Sequence, residues 1–270
     1  MRYILLIILS LFFVRSGFSQ FHFTSMGGAH FNGLGRAGMS VEGISAIYNN
    51  PAGLSSINKW MVDVSYERRF NLEDLSSIQV SAAKNFNFGT IGFVFSQFGT
   101  EVYNEQLYGL AYGRKLNNSV SIGGMLSVVG FYFQQTGSKV TGTFSIGGTV
   151  KINHQFKVST RIFSPAIVSI SENSEIATRA GLGLTYSPSQ KVALFSELDK
   201  SLSRPQWEYK FGISYQIIDP LAMQIGFNPS AQFYAFGISY RVFQKCFVKT
   251  AGSVHQVLGI TPALSISYGE

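Results

Sequence analysis

Residues 207–215 read WEYKFGISY, and the alternation within this stretch decides the fold. Every second residue is apolar, whereas the residues between them are charged, polar or glycine. Successive side chains of a β-strand point to opposite faces, so this pattern indicates a strand with one apolar and one polar face. The apolar positions are Trp207, Tyr209, Phe211, Ile213 and Tyr215.

The same alternation recurs from residue 60 to residue 270 and predicts about 14 strands. Turn signals such as Asn117-Asn118 and Asp219-Pro220 separate them, which is typical of an all-β barrel or sandwich. The longest gap lies near residues 163–174, and the other connections are short. The predicted strands are residues 62–70, 78–86, 88–98, 106–114, 120–133, 144–152, 156–162, 176–186, 192–198, 207–215, 221–227, 234–242, 246–252 and 262–268.

The composition favours a membrane barrel over a soluble sandwich. Charged residues make up 13% and aromatic residues 14% of the 270 residues, and the apolar faces are rich in Tyr and Phe near strand ends. Such residues form the aromatic girdles of transmembrane barrels, whose strands are about 10 residues long. Closure also removes the unpaired edges that cause aggregation. We therefore predict an all-β fold: a transmembrane antiparallel β-barrel of about 14 strands.

The first residues have the features of a secretory signal peptide. Residues 3–14 are apolar except for Ser10, and cleavage after Ser19 fits the small residues Gly17 and Ser19. After residue 14 no apolar run approaches the length of a membrane-spanning helix. Cys246 is the only cysteine, so no lipid-anchor cysteine follows and no internal disulfide is possible. The predicted division is a signal peptide (1–19), a plug or hatch segment (20–59) and the barrel (60–270).

Residues 20–59 lack the alternation and are dense in glycine and other small residues. This stretch is too apolar to stay solvated, which predicts that it packs inside the barrel as a plug. Pro51 fixes its own φ and restricts Asn50, so Asn49-Asn50-Pro51 reads as a turn. Ala52 and Gly53 permit close packing against a wall. The turn has two interpretations: a rigid seat for the plug, or a gate that opens a passage.

Two short elements of this segment carry a family resemblance. Gly33-Leu34-Gly35-Arg36-Ala37 and Asn50-Pro51-Ala52-Gly53-Leu54 resemble the opening elements of the FadL-like (long-chain fatty-acid transporter) superfamily, which precede a 14-stranded barrel. The resemblance implies the outer membrane of a diderm bacterium and a small hydrophobic or amphipathic molecule that is bound or passively transported. The plug or gate motif would be Gly33, Gly35, Arg36, Asn49, Asn50, Pro51, Ala52 and Gly53.

A second function stays open at this point. The superfamily also contains the PorV- and PorQ-like proteins of the type IX secretion system, and His255-Gln256-Val257-Leu258-Gly259 is more similar to that branch. The alternative is therefore a non-transporting accessory subunit of an outer-membrane secretion or assembly complex. The expected partners are outer-membrane lipid, a small hydrophobic ligand and other outer-membrane or periplasmic proteins.

No motif predicts catalysis, a cofactor, a metal or nucleic-acid binding. Residues 33–38 formally match G-x-G-x-x-G, but no strand precedes them. The histidines lack metal-ligand spacing, and there is no G-x-S-x-G element. A Ser-His-Asp triad is a spatial arrangement that spacing alone does not test. The net charge is +7, and the sequence contains no block of like charges.

Charged residues on the polar strand faces predict a network in the lumen. Asp63, Glu67 and Arg69 share one face of their predicted strand, and four further residues lie on polar faces elsewhere. The network has two interpretations: ion pairs that brace plug and wall, or groups that select a solute. The four further residues are Arg179, Glu208, Lys210 and Arg241.

Overall fold

A computed structural model describes residues 27–135, 137–164, 168–171, 174–203 and 205–270, without side-chain detail from 168 to 175. The predicted signal peptide and residues 20–26 of the predicted plug lie outside the described residues. In the described ranges, no helix is long and apolar enough to cross a membrane.

Fourteen antiparallel strands close into one barrel, as the alternation predicts. Neighbouring strands follow each other in sequence, except that β7 pairs with β10, and β1 pairs with β16 to complete the circle. The short strands β8 and β9 form a separate hairpin. The strands are β1 (Trp60–Arg68), β2 (Ser76–Phe86), β3 (Gly89–Gly99), β4 (Tyr103–Lys115), β5 (Val120–Phe133), β6 (Gly137–Lys151), β7 (Phe156–Phe163), β8 (Val168–Ser171), β9 (Ser174–Ile176), β10 (Arg179–Ser189), β11 (Val192–Ser201), β12 (Trp207–Ile218), β13 (Leu221–Asn228), β14 (Phe233–Phe243), β15 (Cys246–His255) and β16 (Gly259–Gly269).

Two predicted strand boundaries differ from the structure. Arg69 was expected on the first strand, but β1 ends one residue earlier because Phe70 and Asn71 adopt positive φ angles of 52° and 58°. Left-handed backbone cannot continue a strand. Ile176 was expected to begin a barrel strand, but it ends β9 instead. The predicted long gap therefore contains the β8–β9 hairpin.

The two ends of the barrel carry aromatic pairs on the outer face. We call the end where β1 begins and β16 ends the terminal rim, and the other end the opposite rim. Near the terminal rim, Trp60 lies 5.5 Å from Tyr268 between ring centroids. Near the opposite rim, Phe227 stacks on Tyr234 at 4.9 Å. Both ends thus have the aromatic character expected at a membrane interface.

Residues 27–59, here called the luminal segment, lie inside the barrel. They contain helix α1 (Gly28–Gly33) and two 3-10 helices, Ile44–Ala46 and Pro51–Ser56. Leu34, Ile47 and Leu54 are 0% exposed. The hydrophobic core therefore lies within the barrel, where the second 3-10 helix packs against β3, β4, β5 and β6.

Candidate functional site

Inward-facing glycines of the wall leave room for the luminal segment. Gly226 on β13 lies so close to this segment that an added Cβ atom would be 1.9 Å from the Gly35 nitrogen. An added Cβ atom at Gly123 would be 2.4 Å from the Ala52 nitrogen. Gly212 faces Leu34 in the same way. At these positions the wall therefore has room for the backbone of the luminal segment. The alternation places Gly212 on a polar strand face, but alternation alone does not show which glycines meet the luminal segment.

The first motif forms the tight end of α1. Gly35 and Arg36 have φ angles of 65° and 67°, and the Arg36 backbone N–H donates to the Phe31 carbonyl at 3.0 Å. A Cβ at Gly35 would lie 2.6 Å from the Phe227 nitrogen. Gly33 also lies close to the wall, since a Cβ atom added to Gly33 would be 3.0 Å from the Cα atom of Gly237. Both motif glycines are therefore required by close approach to the wall.

The second motif anchors the far end of the luminal segment. Asn50 is fully buried, and its Oδ1 accepts from the Ala52 N–H at 3.2 Å, which caps the 3-10 helix that starts at Pro51. Its Nδ2 donates to the Met39 carbonyl at 2.9 Å and to Thr149 Oγ1 at 3.1 Å. The Gly53 carbonyl accepts from Gly43. The Asn50 side chain thus bonds the turn both to the luminal segment and to the wall.

The luminal segment lies between two cavities. The cavity toward the opposite rim, here called the outer chamber, has a volume of about 380 Å³ and includes Asn49 in its lining. The cavity toward the terminal rim, here called the inner chamber, has a volume of about 240 Å³. The luminal segment therefore separates the outer chamber from the inner chamber.

Five charged side chains on three strands form the main network of the outer chamber. Lys210 Nζ lies 2.5 Å from Glu197 Oε1 and 3.2 Å from Asp199 Oδ2. Arg179 Nη2 lies 3.0 Å from Asp199 and 2.7 Å from Glu208. Glu197 also accepts the Met39 backbone N–H at 2.9 Å. The network thus ties the wall to the luminal segment.

A second cluster surrounds Glu67. Its carboxylate accepts from the Asn32 side chain, lies 3.5 Å from Arg36 Nη2 and lies 3.3 Å from Arg69 Nε. The Arg36 guanidinium also lies over the Phe233 ring, 5.2 Å from its centroid. Arg36 therefore links the first motif to the wall.

The structure divides the predicted charge network. Glu67 and Arg69 form one cluster, and Arg179, Glu208 and Lys210 belong to another. The other two residues, Asp63 and Arg241, lie apart from both clusters. Asp63 accepts from the hydroxyls of Ser65 and Ser267 at 2.5 and 2.6 Å. Arg241 lies on the terminal-rim side and donates to the Asp219 carbonyl at 2.9 Å.

The sequence analysis missed Glu197, Asp199 and Arg161. Glu197 and Asp199 stand two residues apart, a spacing that places both on one strand face, but the predicted strand ended at residue 198. Extending the alternation by one residue would have found them. Their pairing with Lys210 depends on the register of β11 and β12, in which Glu197 lies opposite Lys210.

Arg161 differs from the other cations of the outer chamber. It is 8% exposed, and its Nη1 donates to the Tyr48 carbonyl at 3.2 Å. In the part of the chain that the structure describes, no carboxylate lies within 4 Å of it. Its guanidinium also lies near the Phe163 ring. Most of its N–H donors are therefore available to a ligand.

Apolar side chains complete the lining around this guanidinium. Phe31, Tyr48, Phe163 and Phe233 all face the outer chamber, and Tyr48 and Phe163 pack at 5.8 Å between centroids. Burial raises the pKa of Tyr48 to about 12, so its hydroxyl stays neutral. The chamber therefore combines an available cation with aromatic surface.

Across the described ranges, no group of three or more His, Cys, Asp or Glu side chains is placed to hold a metal ion.

The fold is similar to solved outer-membrane barrels. The Ralstonia pickettii toluene transporter TbuX aligns with a TM-score of 0.71 at 9% identity, covering 93% of this chain and 99% of that one. The Pseudomonas putida toluene transporter TodX aligns at 0.66 and 12%, covering 91% and 99%. A Pseudomonas aeruginosa FadL homologue aligns at 0.64 and 11%, covering 89% and 98%. No family model and no curated protein sequence matches the chain.

At these identities the likeness defines the fold. The chain has the fold of the FadL-like β-barrels, in agreement with the resemblance of its two N-terminal elements. The similar structures are named as transporters and channels rather than enzymes.

Proposed function

We propose that the protein is an outer-membrane barrel that binds a small amphipathic molecule in its outer chamber and passes it passively inward. The observation that carries this proposal is the available guanidinium of Arg161 within a cavity of about 380 Å³. Small-molecule sites have volumes of roughly 300–1,000 Å³ and combine apolar lining with a few placed polar groups. The ligand would place an anionic or strongly polar head at Arg161 and its apolar part against Phe31 and Phe233.

The luminal segment acts in this proposal as the plug predicted from the sequence. Its contacts with the wall leave the two chambers on opposite sides, so passage requires part of it to move. The anchored Asn50 turn favours the role of a seat. The moving part would then be the stretch between the two motifs, and its movement has to break the contacts of Met39 and Glu42 with the wall. Residues 1–19 act as the signal peptide that directs export, and the barrel acts without catalysis.

Binding of matched probes to the purified full-length protein tests the proposal. We expect octanoate to bind the wild-type protein and to bind Arg161→Met at least ten-fold more weakly, whereas the uncharged octanol should change little. Arg68→Met is the matched control, because Arg68 pairs with the exposed Glu73 at 3.7 Å. Equal octanoate binding by wild type and Arg161→Met would refute the role of Arg161.

The accessory-subunit alternative has no specific observation in its favour. The stretch that suggested it forms the turn between β15 and β16, where His255 Nδ1 accepts from the backbone N–H groups of Val257 and Leu258 at 3.1 Å each. The hydrogen bonds within this turn therefore account for His255 without a protein partner. Native mass spectrometry of gently purified protein separates the two functions: a stoichiometric small molecule supports transport, and a defined protein partner without ligand supports the alternative.

A further inference from the structure

We infer that the inner chamber is a second binding site, one that holds an oxyanion at Lys249. This site lies on the terminal-rim side of the luminal segment, away from Arg161 and the outer chamber. The inference goes beyond the proposed function and does not depend on it. The ligand class is a carboxylate or a phosphate, which share the chemistry that an ammonium group recognises.

The side chain of Lys249 has no hydrogen-bond or ion-pair partner among the described residues. It lies on β15 opposite Ser239 and Ser265, and it lines the inner chamber. Among the residues with described positions, none places a carboxylate within 4 Å of its Nζ or accepts a hydrogen bond from it. Lys210 on the same inner wall has two carboxylates within 3.2 Å. Lys249 is half-buried, and an ammonium group that lines a cavity without a carboxylate within 4 Å would be stabilised by an anion bound beside it.

The acidic groups around the inner chamber make their close contacts with other residues. The charge of Asp63 acts on Lys249 only from beyond 4 Å, and both its carboxylate oxygens accept hydrogen bonds from Ser65 and Ser267. Glu42 is shared by two ammonium groups, at 3.1 Å from Lys151 and 3.3 Å from Lys157. Burial alone would raise the pKa of Glu42, but the two lysines outweigh it and hold that pKa below its usual range. This trio therefore leaves a surplus positive charge at the edge of the inner chamber.

Two further groups of the chamber can bind an oxyanion. The Arg241 guanidinium uses one Nη2 hydrogen bond to the Asp219 carbonyl, and other donors remain. His30 is neutral, because burial and then the charge of Lys249 lower its pKa to about 3. Its buried Nδ1 has no partner among the described residues. A neutral imidazole can donate one hydrogen bond to an anion beside Lys249.

The terminal rim adds a field that attracts anions to the chamber mouth. Basic residues lie at most of the described turns on this rim, whereas its acidic residues are Asp219 and Glu270 together with the luminal Glu42. A mouth with one dominant sign of charge raises the local concentration of the opposite ion. The exposed basic residues include Lys84, Arg114, Lys115, Lys151 and Lys191.

Titration calorimetry on the purified full-length protein at low ionic strength tests this site, with inorganic phosphate and hexanoate as probes. We expect Lys249→Met to weaken binding of the preferred probe at least ten-fold, and Lys249→Arg to stay within about three-fold of wild type. Lys245→Met is the matched control, because Lys245 on the same rim pairs with Glu270 at 2.9 Å. Equal binding by Lys249→Met and wild type, or no binding of either probe to wild type, would overturn the inference.

The two probes and one further variant distinguish the sources of the anion. Phosphate binding that depends on Lys249 and not on Arg161 supports a site for a free anion. Hexanoate binding that depends on Lys249, together with no binding of phosphate, supports a site for the head group of an amphiphile. Either result stands even where Arg161→Met fails to change octanoate binding, so the failure of the proposed function is separable.

A measurement on the wild-type protein covers the case in which Lys249→Met does not fold. Reductive methylation followed by mass spectrometry reports the accessibility of each lysine. We expect the bound probe to slow methylation of Lys249 several-fold and to leave Lys245 unchanged. Equal rates at Lys249 with and without both probes would contradict the site.

Discussion

The outer and inner chambers are separated by the luminal segment, and a lysine in each of them has different surroundings. Lys210 in the outer chamber is held by Glu197 and Asp199. Lys249 in the inner chamber lines its cavity without any carboxylate within 4 Å among the described residues. A compensated charge stabilises the architecture, whereas an uncompensated one is available to a ligand. The presence of a charged residue in the lumen is therefore less informative than its neighbours.

The outer network also has a mechanical role. Glu197 binds both Lys210 and the Met39 backbone, so one carboxylate couples the wall to the luminal segment. Glu67 makes the same kind of link to Arg36. The segment is therefore held on the outer side by these two carboxylates, at the edge of the inner chamber by the ion pairs of Glu42, and elsewhere by close backbone packing against glycines.

The largest expected effect comes from removing the separation between the chambers. Gly226→Val would place a Cβ 1.9 Å from the Gly35 nitrogen, so the luminal segment must leave its seat. We expect a loss of about 4 kcal/mol or more, the range of exceptional single substitutions. Trypsin should then cut after Arg36, and planar-bilayer recordings should show a conductance that the wild type lacks.

Gly130→Val is the matched control for this substitution. Gly130 lies on β5 and has no heavy atom within 4 Å of an added Cβ. It should keep wild-type stability and protease resistance. A Gly226→Val protein with both properties unchanged would mean that the luminal segment does not occupy the position described here.

The second effect weakens the compensation of Lys210 in the outer chamber. Glu197→Gln removes one of its two carboxylate charges, and because Asp199 still pairs with it at 3.2 Å, the loss should stay below the roughly 3–5 kcal/mol of a fully broken buried ion pair. Unfolding in urea should report the loss. The double variant Glu197→Gln/Lys210→Met should recover part of it, because the ammonium that has lost one of its two carboxylates is removed as well.

Glu73→Gln serves as the control for the charge change alone. The Glu73 side chain is 88% exposed, and its pair with Arg68 is long at 3.7 Å. Its replacement should change stability by less than about 0.5 kcal/mol. A similar result for Glu197→Gln would show that the outer network contributes little.

A smaller effect is expected where the luminal segment ends. Asn50→Ala removes the cap of the 3-10 helix and the hydrogen bonds to Met39 and Thr149. A lost cap costs about 0.5–2 kcal/mol, and the buried partners left unpaired add to it. Hydrogen exchange should increase near residues 50–56. Asn118→Ala, at an exposed turn, should leave exchange there unchanged, and no difference between the two would contradict the role of Asn50 as an anchor.

The smallest effect concerns the rim outside both chambers. Hydrogen bonds from Lys59 and then Lys245 lower the pKa of Glu270 to about 2, well below its value in an unfolded chain. A lowered folded-state pKa means that these contacts stabilise the protein above about pH 4.3 and that this contribution is lost as the pH falls toward 2. Glu270→Gln should melt slightly earlier than wild type at pH 7 and together with it near pH 2. A constant difference at both pH values would contradict this account.

The alternation of the strands predicted most of the fold. Each predicted segment overlaps one barrel strand, because the lipid-facing and lumen-facing sides impose period 2 locally. The exceptions occur where backbone conformation or a short hairpin interrupts the pattern, at Phe70 and at β8–β9. The two short N-terminal elements also indicated the FadL-like fold, because the Gly35 and Asn50 turns need specific residue types.

The candidate site was only partly predictable. Glu67, Arg69, Arg179, Glu208 and Lys210 could be placed on the lumen side from alternation, but alternation gives no partner across strands. The pairing of Lys210 with Glu197 follows from the register of β11 and β12, and the role of Gly226 follows from where Gly35 crosses the lumen.

The sequence by itself determined the strands, their two faces and the class of barrel, since these follow from local periodicity and residue type. Only the tertiary structure decided which charges are compensated and where the lumen is divided. Closure of 14 strands brings residues distant in sequence within a few ångströms, as with Met39 and Glu197. Electrostatic compensation acts over such distances, so the difference between Lys210 and Lys249 exists only in the folded barrel.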